Sequence, residues 1–94
     1  MSEKFVKILF FASIKEKVGK SSLDIKIRKE LNLREFFKIL KSINPELDFI
    51  ANKIDKKEPI PYMLVLNGIQ INLKEETTIY PGSEIAILPP IGGG

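Results

Sequence analysis

The sequence predicts an α+β domain of two layers, a mixed sheet of about five strands packed on one main helix. Three features predict it. The chain opens on a run of branched and aromatic residues and carries one sharply marked amphipathic helix near its middle. Its last apolar strand candidate leads directly into the C-terminal residues.

From Lys4 to Ala12 the run KFVKILFFA sets Val6, Ile8 and Phe10 on one face and Phe5, Lys7, Leu9 and Phe11 on the other. Both faces are largely apolar. Such a strand either lies buried on both sides or offers one face to a partner. SIKEKVGKSS, with Gly19 and two serines, reads as a turn-rich crossover holding at most one helical turn. Leu23 to Arg28 then alternates, Leu23, Ile25 and Ile27 inward and Asp24, Lys26 and Arg28 outward, as a half-exposed strand antiparallel to the first.

The helix follows. Asn32 can cap it, Glu35 three residues on can reach back, and Leu31 can staple onto Phe36. Leu33, Phe36, Phe37, Leu40 and Ile43 recur at helical spacing, Ile39 widens the stripe, and Asn44 with Pro45 stops it. Residues 46–61 read as an irregular connection, with a helical turn at Leu47 to Ile50 and an exposed charged loop at NKIDKKE. Tyr62 to Asn67 is an apolar strand. Asn67 and Gly68 then form a hairpin turn, because both tolerate positive φ, and Ile69 and Ile71 return. Lys74 to Thr78 reads as loop, and Pro81 and Gly82 turn the chain into the last strand, Ile85 to Leu88. Apolar on both faces, that strand belongs inside the sheet, parallel to the first.

Composition narrows the chemistry. Ninety-four residues, 44% hydrophobic and 29% charged, fit one globular domain with one modest core. The chain has no cysteine and no histidine, which removes disulfides, a zinc site, a thiol nucleophile and the usual general base together. No metal is expected. A net charge of +3 raises nucleic acid as a partner, but the lysines spread along the whole chain. Their local groups, Lys15 with Lys17 and Lys20, and Lys53 with Lys56 and Lys57, are interrupted or bordered by Glu16, Asp55 and Glu58. That is the pattern of a solvated surface, so no nucleic-acid partner is expected. Ile8 to Ile14 lacks the cleavage site of a signal peptide, and no run approaches the ~18 residues of a membrane span. The expected setting is cytoplasmic, with no membrane partner.

The C-terminal residues are where function is expected. The division is residues 1–88 as the folded domain and 89–94 as a tail. Pro89 and Pro90 fix φ and favour an extended path of roughly 3.1 Å per residue, so the tail should point away from the body. Ile91 is followed by Gly92, Gly93 and Gly94, which add no side chain and can thread a channel too narrow for other residues. A frayed terminus is the plainer account. Against it, the glycines follow a central strand with no polar linker between.

KILFFASIKEKVGK near the start, Asn67 with Gly68 after an apolar strand, and PGSEIAILPPIGGG at the end together resemble the small subunit of molybdopterin synthase. These are sulfur-carrier proteins of the ubiquitin-like β-grasp fold, related to the thiamine sulfur carrier. The resemblance implies that a ubiquitin-activating-like adenylating enzyme, using ATP and Mg, activates the Gly94 carboxylate, which is then converted to a thiocarboxylate. It implies that the tail enters the molybdopterin synthase large subunit, where the sulfur helps build the dithiolene that holds molybdenum or tungsten. By position, Gly93 and Gly94 match the terminal diglycine, Pro89 and Pro90 the prolines before it, and Phe10 and Phe11 the aromatic pair of the first strand. Gly92 departs from the family, which more often has serine, alanine or threonine there, and the basic net charge departs from its acidic bias.

The residues agree with a carrier that borrows its catalysis. A carboxylate oxygen leaves poorly and needs a nucleotide to activate it, yet Gly19, Lys20 and Ser21 lack the upstream glycine of a phosphate-binding loop. No cofactor is expected on this chain. Phe5, Leu9 and Phe11, opposite the helix-facing side of the first strand, are the candidate partner-binding surface. Two other readings keep the domain and change the role. One is a ubiquitin-like protein modifier, or a sulfur donor for thiamine or transfer RNA. The other is a basic binding module with an inert tail.

Overall fold

The structure is a computed structural model and describes residues 4–90. In chain order the elements are β1 (Phe5–Phe10), α1 (Ala12–Val18), β2 (Ser22–Lys26), β3 (Leu31–Asn32), α2 (Leu33–Ile43), α3 (Asp48–Asp55), β4 (Met63–Leu66), β5 (Ile69–Gln70), β6 (Thr78–Ile79) and β7 (Glu84–Leu88). Five strands form one mixed sheet in the order β2-β1-β7-β4-β5. β7 is its middle strand, parallel to β1 and antiparallel to β4, as its two apolar faces predicted.

One face of the sheet makes the core. Val6, Ile8 and Phe10 of β1, Ile25 of β2, Ile85 and Ile87 of β7 and Leu64 of β4 are all buried there. Against them α2 buries Leu33, Phe36, Phe37 and Leu40, each worth roughly 1.5–3 kcal/mol of apolar transfer. The Phe36 and Phe37 rings meet edge to face, with centroids 5.9 Å apart. The predicted capping box is present. Asn32 Oδ1 accepts the Glu35 N–H at 2.8 Å, and Glu35 Oε1 accepts the Asn32 N–H at 3.1 Å. The predicted hairpin turn is present too, Asn67 at φ 49° and Gly68 at φ 85°.

Four features differ from the sequence reading. The crossover after β1 holds a full helix, α1, because Ile14 and Val18, one turn apart, bury against the core and Gly19 closes it at φ 83°. The connection after α2 is also largely helical. A 3₁₀ turn at Pro45–Leu47 leads into α3, which buries Ile50, Ala51 and Ile54, so the first part of the charged stretch is helix rather than loop. Leu31–Asn32 and Thr78–Ile79 form a second, two-stranded sheet, where the sequence suggested only loop at Lys74 to Thr78. Ile39 and Ile43, read as part of the helix stripe, are 37% and 57% exposed. Leu33, Phe36, Phe37 and Leu40 already fill the side of α2 that meets the core.

Candidate functional site

Parallel pairing of β1 and β7 brings the end of one beside the end of the other, and this edge is where the tail begins. Phe11, just past β1, donates its N–H to the Ile87 carbonyl at 3.3 Å. β7 then ends at Leu88, Pro89 is half-buried, and Pro90 is exposed. Ile91, Gly92, Gly93 and Gly94, the rest of the predicted site, lie outside the described residues.

The second face of the sheet carries no described element. Register sets Leu9 of β1 beside Ala86 of β7, Ala86 beside Val65 of β4, and Leu88 beside Met63. These are half-buried and continuous with Phe11, which is 42% exposed. Together they make an open apolar patch ending where the tail starts. Patches of this kind mark interaction surfaces. Lys7, Asp24 and Glu84 pair in register further along the same face and give it a charged margin.

The three strand residues read as partner-binding therefore separate. Leu9 and Phe11 stand at the tail's edge within the patch. Phe5 is also 42% exposed but sits at the opposite end, where its carbonyl accepts the Gly82 N–H at 3.0 Å. Six residues of extended chain separate it from Phe11, about 20 Å. The sequence reading missed Met63, Val65, Ala86 and Leu88 as members of the patch. Their signal was the alternation within YMLVLN and EIAIL once both strands are placed at the centre of the sheet.

On the helix side, Phe49 of α3 contacts one side chain from α1 and one from the residue just before β4. The Lys17 Nζ of α1 lies 4.1 Å from the centroid of the Phe49 ring of α3, and Phe49 meets Tyr62 edge to face at 5.6 Å. No sequence signal pointed to Phe49, because its segment read as irregular. A groove of about 900 Å³ on the helix side reaches Tyr62 and is lined further by Arg34, Lys57 and Lys74 with Glu58, Glu75 and Glu76. Its charges offset one another, and it holds none of the predicted site residues. Asp55 is also remote from the patch, on α3. The Arg34 Nε 3.0 Å away, and the Lys38 ammonium at 3.6 Å, hold its carboxyl below the usual carboxylate range.

A mixed sheet that grips one long helix on a single face, and sends a Pro-Pro tail out of its middle strand, is a β-grasp domain of the ubiquitin-like class. Solved structures share it. The small archaeal modifier protein 1 of Haloferax volcanii superposes with a TM-score of 0.71 at 22% identity, covering 96% of this chain and 99% of that one. That of Methanosarcina acetivorans superposes with a TM-score of 0.67 at 28% identity over the full length of both chains.

The chain belongs to the ThiS family, whose model matches residues 8–94. Among curated proteins it is similar to the molybdopterin synthase sulfur carrier subunit of Dictyostelium discoideum, 31% identical over 94 residues and the full length of both. It is also 28% identical to the human subunit of that name, over 95% of this chain and 93% of the other. The family resemblance carried by the first strand and the tail is thereby borne out.

Proposed function

We propose that this chain is the sulfur carrier of a molybdopterin synthase, with Gly94 as the atom-carrying residue. A partner adenylating enzyme joins the Gly94 carboxylate to the α-phosphate of Mg-bound ATP, releasing pyrophosphate. Sulfide from a donor then attacks the acyl carbon, AMP leaves, and the terminus becomes a thiocarboxylate. The tail next enters the large subunit of the synthase, where the sulfur passes to the pterin precursor. The observation that carries this reading is the end-to-end similarity to a sulfur carrier subunit, within a family match that runs through Gly94.

The geometry supports it in two ways. Activating a carboxylate at neutral pH requires a nucleotide and its binding site, and a chain without cysteine or histidine leaves that chemistry to partners. What the chain must supply is a docking surface and a narrow end, and the open patch of Leu9, Phe11, Met63, Val65 and Leu88 meets the Pro89–Pro90 root at one edge. Pro89 and Pro90 hold the root extended.

A second reading has its own support in the likeness to an archaeal modifier at 28% identity over the full chain. There the activated Gly94 is captured by a lysine amine of a target protein instead of by sulfide. Intact mass separates the two. Incubation with ATP, Mg, a sulfide source and the cognate adenylating enzyme should exchange one oxygen for sulfur, and a variant lacking Gly94 should stay unchanged. An unmodified full-length chain would remove the carrier reading. Isopeptide adducts on other proteins, formed without any thiocarboxylate, would replace it with the modifier.

A further inference from the structure

β1 gives way to α1 almost without a connection, and the change of direction falls on one residue. Phe11 is still extended, at φ −123° and ψ 149°, and donates its N–H to the Ile87 carbonyl of β7 at 3.3 Å. Its own carbonyl already belongs to the helix, accepting the Ile14 N–H at 3.1 Å and the Lys15 N–H at 3.3 Å. The Phe11 backbone is thus fastened on one side to the sheet and on the other to α1. The next residue, Ala12, has φ 51°, in the left-handed region that a residue bearing a Cβ adopts at a cost and that surrounding structure must enforce. Elsewhere among the described residues that region is entered for a local reason. Gly19, Gly68 and Gly82 bear no Cβ, Asn67 is of a type that tolerates it, and Lys57 lies just past the end of α3, where helices commonly close in this conformation. Ala12 stands at the start of a helix and has none of these reasons. Its side chain is exposed, so the packing of that side chain does not explain the conformation either. What the junction achieves lies one residue upstream: Phe11 stays in the alternation of β1, on the opposite side from the buried Phe10, with its side chain 42% exposed beside the apolar patch.

We infer that the left-handed junction at Ala12 fixes Phe11 as a pre-placed aromatic anchor of the docking surface, and that Ala12 is a positioning residue whose effect on partner binding passes through Phe11. This role rests on the carrier reading, in which an adenylating partner must dock. Pre-organisation is the physical reason. A large ring at the end of a strand, left half in water, loses conformational freedom on docking, and every segment immobilised at an interface subtracts from affinity. Both backbone polar groups of Phe11 are bonded before a partner arrives, so the direction of its Cα–Cβ bond is set and only the side-chain torsions remain to be fixed. Aromatic anchors placed in this way carry a large share of the binding energy of an interface. Alanine, the smallest residue with a Cβ, serves the junction better than glycine would. Glycine adopts φ 51° without cost but adopts the alternatives as readily, and the junction would loosen.

The test is a double-variant cycle on the full-length chain, with the Kd for the cognate adenylating enzyme read by titration calorimetry well below every variant's Tm. Ala12→Val puts a β-branched residue where positive φ is least tolerated, so the junction should relax and affinity fall about tenfold. In the Phe11→Ala background the same change should alter affinity by less than about twofold, because the anchor it positions is gone. Ala12→Gly, which adopts the junction without strain, should melt at or above wild type and bind about threefold more weakly, again only while Phe11 is present. It decides alone if the valine chain does not fold. Ala12→Asn, of a type that tolerates the left-handed region, should match wild type. Equal losses with and without Phe11 would mean that residue 12 meets the partner itself or acts through the fold at large. Wild-type affinity in Ala12→Gly and Ala12→Val would mean that the junction is merely structural. Either result overturns the proposal. A second readout needs no partner: a strong intraresidue Overhauser contact between the amide and α protons of Ala12 in the free chain, the mark of positive φ. Its absence overturns the proposal whatever the enzyme binds. If it is present and the wild-type chain neither binds the enzyme nor gains sulfur, the carrier reading fails and the role in docking with it.

Discussion

At the scale of single residues, Asn67 does more than its place in the turn required. Its φ of 49° lies in the left-handed region, which asparagine tolerates better than other residues with a Cβ. Its side-chain Oδ1 also accepts the Glu84 N–H at 2.8 Å, and its own N–H reaches the Glu84 carbonyl at 2.8 Å, so the hairpin is fastened to the first residue of the middle strand. Asn67→Gly keeps the backbone and loses the side-chain bond, at about 1 kcal/mol; Asn67→Ala loses both, at about 2 kcal/mol. Thermal melts should show Asn67→Ala roughly 10 °C below wild type and Asn67→Gly between the two. An alanine variant melting with wild type would mean the bond and the turn contribute nothing. Asp55 gives a pH-dependent counterpart. Its carboxyl is held below its unfolded value first by the Arg34 hydrogen bond and then by the Lys38 charge, so the interaction stabilises the fold above pH about 4 and is lost as pH falls through the lower, folded value. Asp55→Asn should therefore be less stable than wild type near neutral pH and converge with it in strong acid. Urea midpoints across that range check the sign, and a gap that widened toward acid would contradict it.

At the scale of elements, what could be read from sequence was whatever short-range chemistry dictates. Asn32 and Glu35 start α2 through bonds three residues apart, Asn67 and Gly68 turn the hairpin by backbone preference, and the two faces of β1 alternate residue by residue. The elements that escaped depend on partners distant in sequence. α1 looked like a turn because only two of its residues, Ile14 and Val18, face inward, and their signal is faint without the sheet they cover. α3 was hidden by prolines on both sides and by the charges of Lys53 and Lys56, although Leu47, Ile50 and Ile54 already had helical spacing. The β3–β6 ladder is two residues long on each side and joins chain positions far apart. Ile43 erred in the other direction: periodicity put it in the core, but the helices beside α2 leave that turn open. For the candidate site, the patch was half legible, since one strand's outward face could be read but its neighbours could be added only once strand order was known.

At the scale of the whole molecule, the proposed function separates recognition from reaction. β1 spends its inner face, Val6, Ile8 and Phe10, on the core and leaves Leu9 and Phe11 outside, so the outer face can change without dismantling the domain. In the proposed carrier role the reacting residue, Gly94, follows the middle strand in sequence. Two variants test the separation in one experiment, with affinity for the adenylating partner measured by titration calorimetry and stability by thermal melts. Leu9→Glu should cost about 1 kcal/mol of stability, because the position is only half-buried and glutamate is a poor strand former. It should weaken partner binding by at least about a hundredfold, because a carboxylate would be desolvated in an apolar contact. Removing Gly94 should leave both stability and affinity near wild type while abolishing thiocarboxylate formation. Unfolding of Leu9→Glu would show that the open face is core in solution, and a loss of affinity in the Gly94 deletion equal to that of Leu9→Glu would make the tail itself the anchor. With the expected pair of results, the effects of the two changes on binding should add in the double variant, as they do for sites that share no partner. That additivity is what a domain that docks by one surface and reacts by another requires.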